Sequence, residues 1–267
     1  MNTKVFARPS GPRRGPMAID PRAVGIEYEH DEDRGAYTEQ ADIDEGLAHV
    51  DIRGPLAQFA SCYWDGYDEI IKRFEVACAS QAAGVFVTIG SPGGEVEGLF
   101  EACRVMRQTA SKSGKPVVAY VDESAYSAAY AIAAIADAIY LPPAGGVGSI
   151  GVIGELVDLS AANEAAGVRV EVIASGAEKA DGNPSIPLTD PVIARAQTRV
   201  DQLAGLFFDW VAVRRGMRST EVQALEAACI YADAAIAAGL ADGIRSRKGA
   251  IYAAQLMAGI PQGTTPG

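Results

Sequence analysis

The stretch that decides the fold is VVAYVDESAYSAAYAIAAIADAIYL, residues 117–141. A β-rich run, VVAYV, opens it, and a second run, AIYL, closes it. Between them, small and apolar residues recur at helical spacing, which predicts a helix over residues 122–137, DESAYSAAYAIAAIAD. A strand, a helix and a strand in immediate succession are typical of an α/β protein.

The rest of the chain continues this alternation. Short runs rich in β-branched and aromatic residues predict strands, and apolar residues at steps of three and four predict helices. The predicted strands cover 47–52, 85–90, 117–121, 138–141 and 168–173. Helical periodicity covers 66–82, 95–111, 190–215 and, within the stretch quoted above, 127–136. A last short helix is predicted within 231–244 and ends at Gly239. The predicted fold class is therefore α/β.

The pattern divides the chain into one domain with two extensions. Residues 1–44 hold a Pro/Arg/Gly-rich head and a strongly acidic piece without periodicity, which predicts an N-terminal arm that is partly flexible. Residues 45–248 carry the alternating elements and are long enough for one substantial core. Residues 249–267 are assigned to a C-terminal tail, whose end, GIPQGTTPG, is predicted to be disordered.

The composition excludes several classes of function. A net charge of −11 and a pI of about 4.7 oppose binding to nucleic acid or to an anionic membrane, since both require clustered cations. Four widely spaced cysteines and two histidines predict no metal site, no disulfide framework and no bound cofactor. The first 25 residues show no signal peptide, and no apolar run is long enough to span a bilayer. We expect a soluble, cytosolic protein.

Ser127 stands near the start of the predicted helix and has two interpretations. Its hydroxyl can cap the helix, or it can be a nucleophile beside the free amides and the positive end of the helix. The small residues Ala128 and Ala129 leave room for a substrate backbone. Both histidines precede the SPGG loop, one in the acidic arm and one in the first strand, which gives a Ser-His-Asp triad little support.

Lysine is another base that activates serine, and Lys179 is the best-placed lysine of this chain. It lies in the glycine-punctuated loop SGAEKADGNP, residues 175–184, beyond a predicted strand. Such loops carry functional groups in α/β proteins. A lysine must be largely neutral to accept a proton, which requires burial away from water. A solvated loop lysine is the alternative interpretation.

The turn SPGG, residues 91–94, is a second candidate element, because it follows the apolar strand VFVTIG. Pro92 fixes its own φ, whereas Gly93 and Gly94 tolerate positive φ and the close approach of another backbone. Successive amides in such a turn can hold an oxyanion, although a plain tight turn has the same composition. The GxGxxG match in GGVGSIG, residues 145–151, is a weak dinucleotide signal because an extended segment follows it.

Seven motifs occur in a fixed order along the chain. They are HVDIRGPL, VTIGSPGGEVEG, KPVVAYVDESAYSAAYAIAAIADAIYL, GGVGSIGVI, VRVEVI, SGAEKADGNP and IYADAAIAAGLAD. This set resembles the signal peptide peptidase A family of Ser-Lys serine peptidases and covers about residues 46–245. Within the family, AYSAAYAIAAIAD and KADGNP look most like the phage branch, the prohead or capsid-maturation proteases of tailed phages.

The resemblance implies both a fold and a site. The implied fold is a stack of ββα units similar to Clp protease subunits and crotonases, in a single domain with an N-terminal arm. Ser127 is implied as the nucleophile and Lys179 as its general base. The amides of Gly93, Gly94 and Ala128 are implied as the oxyanion hole.

Two further positions follow from the resemblance. Ser149 matches a hydroxyl that helps to orient the lysine amine in such dyads. Glu178 stands where the family commonly has His or another residue before the lysine. A carboxylate directed at the amine would oppose the loss of its proton, so we expect Glu178 to face solvent.

The implied function is a serine endopeptidase, a phage prohead protease that cleaves scaffold, portal or other capsid proteins in the host cytoplasm or inside the prohead. Family members form rings in which serine and lysine can come from neighbouring subunits, so a homo-oligomer is expected. Two alternatives share the fold: a catalytically idle capsid-assembly factor and a soluble bacterial signal-peptide-peptidase-like protease. A crotonase-like acyl-CoA enzyme is a third alternative, which needs no Ser-Lys pair.

Overall fold

The computed structural model describes residues 17–19, 40–61 and 64–261. The strands are β1 Met17–Ile19, β2 Asp42–Asp44, β3 Leu47–Arg53, β4 Leu56–Ala57, β5 Asp65–Gly66, β6 Gly84–Ser91, β7 Gly93–Glu95, β8 Val117–Tyr126, β9 Ala138–Leu141, β10 Gly146–Gly148, β11 Cys229–Tyr231 and β12 Gly243–Ile244. The helices are α1 Tyr67–Ala79, α2 Leu99–Ser113, α3 Ala128–Ala133, α4 Ser160–Ala165, α5 Asp190–Arg215, α6 Ser219–Gln223, α7 Ala232–Ala237 and α8 Arg247–Met257. Most of the N-terminal arm and the end of the predicted tail, residues 262–267, lie outside the described residues.

The main sheet is built around three parallel strands. In the described residues its order is β11-β10-β8-β6-β3-β2, and β9 adds to β8 and pairs with β12. Strand β6 pairs in parallel with both β3 and β8. Its sequence GVFVTIGS is buried at nearly every position, which is typical of a parallel strand covered on both faces. The predicted α/β class is confirmed.

Helices cover both faces of the main sheet. The larger core joins the sheet to α1, α2 and α3 through residues such as Phe74, Met106 and Ile132, all fully buried. On the opposite face, Phe86 of β6 packs in a second cluster with Ala250 and Ala254 of α8. Helix α8 was not predicted, because residues 249–257 were assigned to the tail. The buried face of α8 includes the small residues Ala250 and Ala254, and their burial is apparent only from their packing against the sheet.

A smaller sheet stands beside the main one, in the order β1-β7-β4-β5. Strand β7 lies at its centre, antiparallel to β1 and parallel to β4. Strand β7 begins two residues after β6 ends, so the chain passes from the main sheet to the small one across Pro92. The small sheet therefore extends directly from the SPGG turn.

The prediction of a helix over 122–137 was wrong for residues 122–126, which belong to a strand. Strand β8 continues to Tyr126, and only Ala128–Ala133 form the helix α3. The added residues are held by β10, which pairs in parallel with residues 124–126. Tertiary pairing thus overrides the helix propensity of this alanine-rich stretch.

The strand predicted over 168–173 is absent from the described structure. The segment VRVEVI has no ladder partner there, and it is mostly exposed, with Ile173 at 93% of its full exposure. An extended segment becomes a strand only when a neighbouring edge accepts its hydrogen bonds. In the described part of the chain, no strand pairs with residues 168–173.

The helix predicted over 190–215 is confirmed as α5, Asp190–Arg215. Its buried positions include Leu203, Phe207 and Val211, which share one face. The helix ends at Gly216, which adopts the left-handed conformation with φ of 66°. The apolar spacing and the terminal glycine are local signals, which is why this element was predictable.

Candidate active site

Ser127 lies in the tight connection between β8 and α3. Its backbone has φ of 52° and ψ of −121°, an unusual conformation for a residue with a side chain. The N–H of Ser127 donates to the carbonyl of Gly148 at 2.8 Å, and its own carbonyl accepts from the N–H of Tyr130 at 2.8 Å. The sharp turn therefore presents the serine between the end of one strand and the start of a helix.

The side chain of Ser127 is 1% exposed, and its Oγ has no hydrogen-bond partner in the described structure. Ser127 occupies the N-cap position of α3, yet its side chain makes no capping hydrogen bond. The capping interpretation is therefore wrong. A buried hydroxyl without a partner costs about 1–3 kcal/mol, so a structural purpose does not account for it.

The SPGG segment forms a turn followed by strand β7, and not by a helix at once. Helix α2 begins only at Leu99, four residues later than the predicted helix at 95. Gly93 has φ of 98°, which favours glycine. A Cβ at Gly94 would lie 1.8 Å from the carbonyl oxygen of Leu56, so the close approach of β4 requires glycine there.

The turn and the serine lie close to each other through backbone pairing. Ser91, at the end of β6, pairs with Ala125 of β8, which stands two residues before Ser127. Helix α3, which starts at Ala128, lies against β7. The first amides of any helix have no acceptor within that helix. Strand β7 and the first turn of α3 therefore both lie close to Ser127.

Ser91 is a polar residue that the sequence analysis did not single out. It is fully buried, and its Oγ accepts a hydrogen bond from the N–H of Gly93 at 3.1 Å. The signal was available, since a serine two residues before a glycine is typical of a turn closed by a hydroxyl. This bond engages one of the amides predicted to form the oxyanion hole.

Ser149 lies next to Ser127 in the backbone network. It directly follows Gly148, whose carbonyl accepts the N–H of Ser127. Ser149 is 6% exposed and also has positive φ, 51°. Its N–H donates to Ala228 at 2.9 Å, which ties the segment to the loop before β11. The predicted orienting role of Ser149 stays a prediction.

Lys179 is not brought to Ser127 within the described part of this chain. Its side chain is exposed, and its N–H closes a turn by donating to the carbonyl of Gly176 at 3.3 Å. Glu178 is exposed, as predicted, and its carboxylate lies 3.7 Å from Nε of Arg195. The same guanidinium lies 2.7 Å from Asp181. The lysine loop is thus held by ion pairs at its acidic residues, and the lysine itself faces outward.

Within the described ranges, no group of three or more acidic, His or Cys side chains is arranged to hold a metal ion. In that same part of the chain, no helix combines the length and the apolar character needed to cross a bilayer.

The parallel main sheet covered by helices agrees with the Clp protease and crotonase-like fold, and the buried Ser127 at the start of α3 lies where the resemblance to serine peptidases expects a nucleophile. The model of Peptidase family S49 matches residues 109–260, more than half of the chain, and the chain belongs to this family. The resemblance to signal peptide peptidase A-type enzymes is thereby confirmed.

Two phage proteins are among the similar sequences. The chain is 34% identical over 204 residues to the head-tail preconnector protein GP5 of Enterobacteria phage P21, covering 75% of this chain and 40% of that protein. It is 33% identical over 178 residues to the capsid assembly protease C of Escherichia phage lambda, covering 66% of this chain and 40% of that protein. The chain therefore spans about two fifths of the length of these relatives.

Proposed function

We propose that this chain is a serine endopeptidase of phage capsid assembly. The observation that carries the proposal is the buried hydroxyl of Ser127, which has no partner and stands on a strained turn beside the glycine turn of β7. The family match and the names of the two phage relatives support it. Its substrates are scaffold, portal or other capsid proteins, in the host cytoplasm or inside the prohead.

The reaction is acyl transfer through a Ser-Lys dyad. Oγ of Ser127 attacks a peptide carbonyl while the neutral amine of Lys179 takes the hydroxyl proton. The protonated amine then gives that proton to the departing nitrogen, which leaves an acyl group on the serine. Water next attacks the acyl group and loses a proton to Lys179. The acyl–Oγ bond then breaks, the acid leaves, and the lysine gives this proton to Oγ, which restores the hydroxyl. Ser149 orients the amine.

The negative charge of the tetrahedral intermediate is stabilised by backbone amides of Gly93, Gly94 and Ala128. Helix α3 and strand β7 lie together, which supports a shared site for these donors. The N–H of Gly93 is bonded to Oγ of Ser91 in the resting chain. This amide therefore has to exchange the hydroxyl for the oxyanion, a stronger, charged acceptor.

The amine and the hydroxyl meet between copies of the chain. Within one chain Lys179 faces outward, and the segment 153–206 around it exposes many large apolar side chains. They are Ile153, Leu156, Val157, Leu159, Val168, Val170, Ile173, Ile193 and Leu206. Burial of such a surface favours association, and the unpaired segment 168–173 offers a strand edge to a neighbour. A homo-oligomer then removes the lysine from water.

The test is labelling and hydrolysis with matched serine variants. A fluorophosphonate probe is expected to label Ser127, identified by peptide mass spectrometry, and Ser127→Ala is expected to abolish both labelling and cleavage of coexpressed scaffold protein. Ser124→Ala is the control, because Ser124 is a half-buried strand residue three positions away. Unchanged processing in the Ser127→Ala variant would overturn the assignment of Ser127 as the nucleophile. No labelling in the assembled oligomer would favour the idle assembly factor.

A further inference from the structure

The N-terminal strand β1 lies on the glycine turn of the candidate site. It runs antiparallel to β7, and the pairing has the register Met17↔Glu95, Ala18↔Gly94, Ile19↔Gly93. The two strands are far apart in the sequence, so a tertiary contact and not a local hairpin brings β1 to this position. The N-terminal arm thus includes a backbone segment with a defined place in the fold.

Strand β7 has one edge that can accept a further strand. Strand β4 fills the other edge of β7. It runs parallel to β7, and its Leu56 lies opposite Gly94. The two backbones are so close that a Cβ at Gly94 would lie 1.8 Å from the Leu56 carbonyl oxygen, which leaves no room for a ligand strand between β4 and β7. Strand β1 occupies the remaining edge, which we call the acceptor edge: the side of Gly93–Glu95 opposite β4.

The acceptor edge leads to the candidate nucleophile. Strand β7 begins at Gly93 and lies against α3, the helix that starts directly after Ser127. In the antiparallel direction, the C-terminal end of a bound strand lies at Gly93. A peptide in that position is held by main-chain hydrogen bonds, which tolerate many side chains.

We propose that the acceptor edge binds an extended substrate segment, antiparallel to β7, and that the chain's own residues 17–19 occupy this edge at rest. The inference rests on the proposed function, which supplies the reaction at Ser127. A substrate strand has to displace β1 before it binds. The apparent affinity for a peptide is then reduced in proportion to the fraction of chains with a vacant edge.

The position of β1 is tested with a cysteine pair. Opposite residues of an antiparallel pair have Cβ atoms about 4.5–5.5 Å apart, near the distance that a disulfide requires. Mild oxidation of Met17→Cys/Glu95→Cys is therefore expected to form an intramolecular disulfide, detected by mass spectrometry of tryptic peptides. The control pair is Met17→Cys/Glu97→Cys, because Glu97 lies beyond β7. Equal disulfide yields, or none in the first pair, overturn the inference.

Occupancy is tested by peptide binding in the full chain carrying Ser127→Ala, which prevents cleavage. The probe is a fluorescent peptide of residues 12–24 of this sequence, measured by polarisation. The double substitution Ala18→Pro/Ile19→Pro removes both backbone N–H groups. Successive N–H groups of a strand point to opposite sides, so one of the two lost groups is the one that faces β7. If β1 fills the edge in about nine tenths of chains, this variant binds the probe about tenfold more tightly. The control, Ala7→Pro, is expected to change nothing.

The oxidised cysteine pair is expected to exclude the peptide, and reduction is expected to restore binding. Equal affinities for the resting, double-proline and oxidised chains would overturn the inference, even where hydrolysis depends on Ser127. Affinities that change as expected, with no hydrolysis by any chain carrying Ser127, would instead overturn the proposed function. The two failures are therefore distinguishable.

Discussion

The backbone N–H of Ser127 donates a hydrogen bond to the carbonyl of Gly148 over 2.8 Å. This bond joins the end of β8 to the end of β10 and helps to hold Ser127 at φ of 52°. Ser149, the residue after Gly148, also has positive φ, 51°. Ser127 and Ser149 thus directly follow the ends of two paired strands, and both have a rare backbone conformation. Such a conformation costs about 1–3 kcal/mol per residue. Such strain persists at sites where the surrounding structure enforces it.

Ser127→Gly is expected to stabilise the fold and to abolish hydrolysis. Glycine tolerates the positive φ, and the change removes a buried hydroxyl that lacks a partner. After the entropy cost of glycine, we expect the free energy of unfolding to rise by about 1 kcal/mol, measured by urea denaturation. Glu123→Gly is the control, because Glu123 is exposed and has φ of 65°. It is expected to retain hydrolysis. A Ser127→Gly chain that is less stable than the wild type would contradict the claim that the backbone of Ser127 is strained.

Mixing two inactive variants is expected to restore activity. Ser127→Ala supplies the lysine and Lys179→Ala supplies the serine, so coexpression in equal amounts gives both groups to about a quarter of the sites in a ring with pairing between copies. Peptide hydrolysis is measured on mixed oligomers verified by native mass spectrometry. Coexpression of Ser127→Ala with Ser127→Ala/Lys179→Ala is the control and should stay inactive. Mixed oligomers without activity would place the pair within one chain.

Gly94→Ala is expected to destabilise the chain strongly. The new Cβ would lie 1.8 Å from the Leu56 carbonyl oxygen, so β4 and β7 have to separate. We expect a loss of at least about 2 kcal/mol in the free energy of unfolding, within the range for overpacked cores. Gly205→Ala in α5 is the matched control: apart from the backbone of its own helix, no atom lies within 4 Å of its new Cβ, and it should stabilise the chain by up to about 1 kcal/mol. Equal urea midpoints would contradict the close approach.

Cys103 is expected to make the fold less stable at alkaline pH. Burial raises the pKa of the Cys103 thiol far above its usual range. The folded chain therefore keeps this proton, whereas the unfolded chain releases it from about pH 9 upward. The stabilisation is fully present below pH 9 and falls above it by up to about 1.4 kcal/mol per pH unit.

The measurement compares urea denaturation of the wild-type chain and Cys103→Ala between about pH 8 and 10.5, where the thiol contributes. The variant is expected to lose stability less steeply as the pH rises. Met106→Leu changes the same buried face of α2 without removing a titrating group, so its slope should match that of the wild type. Identical slopes in all three chains would show that Cys103 does not contribute.

Local patterns were sufficient for several elements. The apolar run of β6 and the spaced apolar residues of α5 predicted both elements, because burial on two faces and on one face leaves different periodicities. The serine at 127 and the glycines at 93 and 94 were singled out because turns and helix starts use few residue types. The family resemblance then assigned roles that spacing had left open.

Other features depended on pairing between distant segments. Residues 124–126 belong to β8 and pair with β10, whereas in the described chain no strand pairs with residues 168–173. Helix α8 was not predicted, because the burial of its alanines is recognised only from their contacts with the sheet. A residue's own sequence neighbourhood contains none of these partners.

The amino-acid sequence by itself determined the α/β class, strands β3, β6 and β9, helix α5, the family and the candidate residues, since these depend on periodicity and on turn chemistry along the chain. Only the tertiary structure decided that Ser127 adopts a strained backbone without capping α3, that Lys179 faces outward and that β1 lies on β7. Each of these depends on hydrogen bonds or burial between segments that are remote in sequence, and such contacts exist only after folding.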